Sequence, residues 1–251
     1  MPRVEGTLPA PQPERIAVVA VAIAILLTRF TIMFLGLQLA PLIGISGWYS
    51  GLFVNVLVSI YAVILMSRYG LWNQTGMTRP WRSRLALIWL LPLIAEAIFW
   101  AVNGLEEQPP GFGLWALTLM LVGVNEELIS RGVILNRLLT VNRAGFAILI
   151  GATLFGLQHL SALALTSRAV DDVLGNVLFS AIYGFALGAY QFRFRWLWPL
   201  IIVHATTDFT VIHAVELPSD LVIVVVHLLV ITFGIALLRG RMGEHPRQAV
   251  P

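Results

Sequence analysis

Six ionisable side chains stand inside apolar stretches of this chain at spacings that could do chemistry. Glu126, Glu127 and Arg131 interrupt the run from Val124 to Val133, His159 follows Phe155 by four residues, and His204 and Asp208 are also four apart. An Asp, Lys or Arg at the centre of a bilayer costs about 2.5 to 3.5 kcal/mol, so charges in such runs point to function and require partners. At about 100° per helical residue, Arg131 lies about 40° from Glu127 and about 140° from Glu126. Glu127 and Arg131 are therefore expected to close an i, i+4 ion pair. Glu126 is expected to stay free on another face, flanked by Gly123 and Ser130.

His159 taken alone reads as a hydrogen-bonded interior histidine. The His204–Asp208 spacing puts an imidazole and a carboxylate within reach, either to orient a catalytic or metal-bound histidine or to neutralise one another inside the bundle. Together, Glu126, His159, His204 and Asp208 suit water activation, with a carboxylate taking the proton and an imidazole steadying the oxyanion. Glu126, His159 and His204 could instead supply three N/O ligands to Zn²⁺, with water as the fourth. Spacing leaves both open.

These residues need a scaffold, and composition says which kind. Hydrophobic residues make up 58% of the chain and charged residues 12%, against about 45 to 50% and about 25% in soluble domains. Mean hydropathy is +0.85. The expected fold is all-α: a polytopic bundle of about eight membrane helices near 16–40, 48–67, 84–103, 113–139, 143–165, 173–192, 196–214 and 219–238. Residues 1–14, with four prolines, read as a disordered tail, 15–239 as one membrane domain, and 240–251 as a polar tail. The first apolar run is too long for a cleavable signal, so it is expected to be kept. The chain has no Cys, which excludes disulfides and thiolate chemistry.

Every basic residue is Arg, the net charge is +3, and the arginines fall between apolar runs rather than in one patch, which argues against nucleic acid. With both termini cytoplasmic, Arg168 is the one loop arginine on the outer side, where Glu106, Glu107, Asp171, Asp172, Glu216 and Asp220 gather. Arg29 and Glu96 have similar expected depths and are expected to pair, unless Arg29 snorkels at a break in its span. Asn176, Ser180, Tyr183, Gly184 and Gly188 read mainly as helix-packing positions. His213 projects roughly opposite His204 near the outer end of its span and is set aside, His227 reads as a packing residue, and His245 as part of the tail.

Glu126-Glu-Leu-Ile-Ser-Arg131, Phe155-Gly-Leu-Gln-His159 and His204-Ala-Thr-Thr-Asp208 resemble the EExxxR, FxxxH and HxxxN/D motifs of the CPBP intramembrane proteases. That family includes CAAX prenyl endopeptidases and bacterial proteins linked to bacteriocin self-immunity. The resemblance covers residues 113–214 with the motifs in the family's order. It implies that Glu126 and His159 activate water, that His204 and Asp208 bind or stabilise the reacting carbonyl, and that Glu127 and Arg131 support the site. Two positions depart from the pattern. Asp208 stands where Asn is frequent, and an ionised Asp cannot donate to an oxyanion; it is either protonated, or orients His204, or serves a metal. Ser130 replaces an aromatic residue, which alters packing.

The expected function is thus an intramembrane endopeptidase acting on a hydrophobic or lipidated peptide in the bilayer of a bacterial plasma membrane, with Zn²⁺ as an open alternative to a metal-free site. A proton-coupled transporter or channel, and a non-catalytic immunity or scaffold protein, are the rival readings.

Overall fold

A computed structural model of the protein describes residues 12–244. The expected tails at 1–14 and 240–251, with His245, fall largely outside them, although the first helix already begins at Gln12. The helices are α1 (Gln12–Leu42), α2 (Trp48–Arg68), α3 (Arg84–Phe99), α4 (Phe112–Glu127), α5 (Leu135–Leu139), α6 (Ala144–Leu157), α7 (Ala162–Leu165), α8 (Val170–Phe194), α9 (Trp198–His213) and α10 (Asp220–Leu238). A π-helical segment, Leu128–Ile134, joins α4 to α5, and a 3₁₀ turn, Gln158–Ser161, joins α6 to α7.

The architecture is all-helical among the described residues, and each of the eight expected segments falls on helix. Among the described residues, six stretches are long and apolar enough to cross a membrane: Gln12–Leu42, Trp48–Arg68, Phe112–Leu139, Ala144–Leu165, Val170–Phe194 and Asp220–Leu238. α3 and α9 have 16 residues each and are shorter than such spans. Outward faces are apolar, as at Leu27, Ile88, Leu178 and Leu229, each more than half exposed. A helical bundle satisfies its backbone groups internally, and this is the condition for placing that surface in hydrocarbon.

The polar groups lie inside. Glu127, Asn125, Arg131 and His204 are buried, an arrangement the helix contacts make necessary. α4 lies against α9 at Gly123, where a Cβ would sit 2.7 Å from the Ile201 carbonyl oxygen. α6 lies against α8 at Gly156, where a Cβ would sit 2.5 Å from the Val177 carbonyl oxygen. Small residues allow such backbone approach in membrane bundles. Gly123 thus brings the two glutamates beside His204, and Gly156 brings the His159 turn beside α8. α2 closes the other side of α4, with Ser59 donating to the Leu121 carbonyl at 3.2 Å and Asn125 donating to Asn55 at 3.1 Å.

Candidate active site

α4 ends on Glu126 and Glu127, and the backbone continues as the π-helical segment that carries Arg131. Such wide turns are rare and recur at functional sites. Across this junction Arg131 Nη1 donates to Glu127 Oε1 at 2.7 Å, the contact that i, i+4 spacing leads one to expect. The guanidinium also lies 3.9 Å from the Phe155 ring centroid.

Glu127 does more than hold Arg131. The same oxygen receives His204 Nδ1 at 2.8 Å. A carboxylate accepts, so Nδ1 carries the proton and the ring is fixed with Nε2 turned the other way. Nε2 lies 3.5 Å from Asp208 Oδ2 and 3.8 Å from Glu126 Oε2. Orientation of His204, one of the tasks considered for Asp208, is therefore carried by Glu127. Asp208 stands on the Nε2 side, and its side chain is 31% exposed where those of Glu126 and His204 are nearly covered.

The expectation that Glu126 is free of partners is overturned. Arg29, reaching in from α1, donates Nη2 to Glu126 Oε1 at 2.7 Å, with both side chains buried. The expected Arg29–Glu96 pair is overturned with it. Glu96 instead accepts from Trp100 Nε1 at 2.6 Å and from Thr207 Oγ1 at 3.2 Å. Equal depth was the wrong criterion: α1 packs on α2 and reaches the end of α4, whereas α3 packs on α9. Glu126 Oε2 remains buried without a hydrogen-bond partner and faces His204.

His159 stands at the 3₁₀ turn that ends α6. Its Nδ1 is 3.0 Å from the Phe155 carbonyl oxygen, which can only accept, so Nδ1 is protonated and Nε2 presents a lone pair. Ser180 Oγ lies 3.5 Å from that nitrogen and 3.0 Å from Asn176 Oδ1. The two histidines share one aromatic neighbour, with Phe155 at 5.4 Å from the His159 ring and 5.8 Å from the His204 ring. The structure thus brings Glu126, Glu127, Arg131, His204 and Asp208 into direct contact and sets His159 beside them across Phe155.

Arg29 and Tyr183 complete the surroundings. Tyr183 stacks edge-on to His204 at 6.0 Å and its hydroxyl is 3.0 Å from Thr207 Oγ1, linking the site to Glu96. The signal for Arg29 was present as an arginine within an apolar run. The signal for Tyr183 was its i+7 spacing from Asn176, a pattern that reads mainly as helix packing.

His213 and His227 stand apart, each with Nδ1 on a backbone carbonyl, of Glu106 at 2.9 Å and Ile223 at 2.7 Å. Among the described residues no three His, Asp or Glu side chains converge as a metal site. The donor set argues the same way, because the charge of Glu126 is already matched by Arg29 and that of Glu127 by Arg131. Glu126 is thus already held by Arg29, and a Zn²⁺ site on Glu126, His159 and His204 would need that carboxylate released.

Residues 108–210 match the family of type II CAAX prenyl endopeptidases, Rce1-like. The matched segment holds Glu126, Glu127, Arg131, His159, His204 and Asp208, while Arg29 and Glu96 lie outside it. The match supports the CAAX protease family and, at family level, an integral multi-pass membrane protease. No curated protein and no solved structure gives a significant match.

Proposed function

We propose that the protein is an intramembrane endopeptidase that hydrolyses a peptide bond in a hydrophobic or lipidated peptide, using water activated by Glu126 and His159. The observation that carries this reading is the opposition of His204 Nε2 and Glu126 Oε2 at 3.8 Å, each held from behind by a buried partner. A preorganised donor facing a base is the arrangement that hydrolysis requires.

The water oxygen attacks the scissile carbonyl carbon as Glu126 Oε2 takes one of its protons. His159 Nε2, whose lone pair is free because Nδ1 is engaged, accepts a hydrogen bond from the same water. His204, as an imidazolium, donates from Nε2 to the carbonyl oxygen as that oxygen gains negative charge. Asp208 balances the imidazolium from the exposed side. The intermediate then expels the amine, which leaves with the proton that Glu126 had taken, and the other product is a carboxylic acid that releases its remaining proton to solvent and becomes a carboxylate.

The chemistry places the reaction inside a bundle whose outer surface is apolar, so the substrate approaches from the membrane. The arginine bias of the loops supports an orientation with both termini cytoplasmic, and a bacterial plasma membrane is the setting proposed for it. A proton pathway would string ionisable groups along the membrane normal. Here Glu126, Glu127, His204 and Asp208 touch one another instead.

Purified protein in detergent, incubated with a library of hydrophobic and lipidated peptides and read by mass spectrometry, is expected to release new amino and carboxyl termini. Activity is expected to survive exhaustive chelation. Loss on chelation with recovery on adding Zn²⁺ contradicts the metal-free mechanism, and absence of cleavage throughout overturns the enzyme reading.

A further inference from the structure

A second built feature lies at one end of the bundle, between α3 and α9. A groove of about 450 Å³ runs there, lined by Pro80, Trp81, Leu87, Trp196, Trp198 and Ile202 among others. Its volume falls in the range of small-ligand sites, about 300 to 1,000 Å³. Trp196 and Trp198 both donate their indole N–H to the Arg79 carbonyl, at 3.0 and 2.8 Å. Their polar edges are thereby satisfied against the chain, and their apolar faces are left to the groove.

Three arginines flank this lining along the chain: Arg79 precedes Pro80, Arg82 follows Trp81 and Arg195 precedes Trp196. Arg82 donates Nε to the Phe194 carbonyl at 2.8 Å, which anchors it beside Arg195. Burial, and then the neighbouring charges of Arg82 and Arg79, hold the Arg195 guanidinium below its usual value. Among the described residues, no carboxylate lies within 4.0 Å of Arg79, Arg82 or Arg195. Three cations crowded without an anion, beside an apolar slot flanked by tryptophans, form a complement to an amphiphile with a negative head.

We propose that this end of the bundle binds one anionic phospholipid, with its phosphate on Arg79, Arg82 and Arg195 and an acyl chain in the groove between α3 and α9. The occupant is a bilayer lipid rather than a soluble anion, because the slot continues along apolar residues past Ile94 and Ala97. It braces α9, the helix that carries His204 and Asp208, against α3. The site does not depend on peptide cleavage, and it can be tested without a substrate.

The test is native mass spectrometry of the full chain released from nanodiscs with equal phosphatidylglycerol and phosphatidylcholine. One retained phosphatidylglycerol is expected. In Arg79→Gln/Arg195→Asn its preference over phosphatidylcholine falls about 25-fold, from two basic contacts of about fivefold each. Asn is chosen because Arg195 has φ 47°, a region Asn tolerates. A second variant, Leu87→Trp, fills the slot while keeping the arginines, and is also expected to lose the lipid. Equal retention of both lipids, or retention unchanged in both variants, overturns the proposal. So does displacement by excess soluble glycerol phosphate, which marks a headgroup site alone, or by a lipidated peptide, which marks a substrate site.

Discussion

Glu126→Gln is expected to lower peptide cleavage by about 10² to 10⁴-fold, the range that a general base contributes, and to cost stability too, though less than loss of Arg29, because the amide oxygen keeps a hydrogen bond from the arginine. The substitution keeps shape and one acceptor. Its amide oxygen still receives Arg29 Nη2, now found 2.7 Å from Glu126 Oε1, but the group facing His204 Nε2 becomes an NH₂ that cannot take a proton. Elution from a sizing column and the thermal midpoint in detergent report folding, and product formation reports the chemistry. Cleavage within a few-fold of wild type would remove Glu126 from the role of base.

Arg29→Met carries the largest expected effect on stability. Breaking a buried ion pair by removing one partner costs about 3 to 5 kcal/mol, because the remaining charge is left without compensation. Arg29 and Glu126 are both buried, and the nearest other cationic group to Glu126 Oε2 is the His204 ring at 3.8 Å. The double variant Arg29→Met/Glu126→Gln removes both charges and is expected to recover most of that loss without recovering activity. Folded yield and thermal midpoint decide the matter. A double variant no more stable than Arg29→Met would show that Arg29 contributes by packing rather than by pairing.

Both predictions concern a partner that was only half visible in the sequence. Arg29 announced itself as a charge in an apolar run, and Glu96 did the same, so depth matched them. Depth is a property of one helix, whereas partnership depends on which helices are neighbours, and that is decided by contacts such as Gly123 against Ile201 and Gly156 against Val177. Local pairs were legible for the opposite reason. Glu127 with Arg131, and His204 with Asp208, are separated by four residues on one helix, and their proximity follows from helical geometry.

The bundle itself was legible because spans must be long and apolar, and long apolar runs are visible without knowing how they pack. The π-helical segment at Leu128–Ile134 was not, since a widened turn leaves no signature in residue spacing. Nor was the second contact of Glu127. Its position beside His204 joins α4 to α9, and it makes one carboxylate both the counterion of Arg131 and the group that fixes the imidazole. The division of the two glutamates into a structural one and a free one therefore gives way to two paired glutamates with different outlooks. Glu127 is fully enclosed, and Glu126 keeps one oxygen turned toward His204 Nε2.

That opposed pair is the centre of the account, and a double-mutant cycle on cleavage rate tests it most directly. Wild type, Glu126→Gln, His204→Ala and the double variant are compared on one cleaved peptide. Residues that act as a unit in one step are strongly non-additive, so the double variant is expected to be no slower than the slower single variant. Losses that multiply across the two sites would contradict a shared role for Glu126 and His204 in activating water against the same carbonyl.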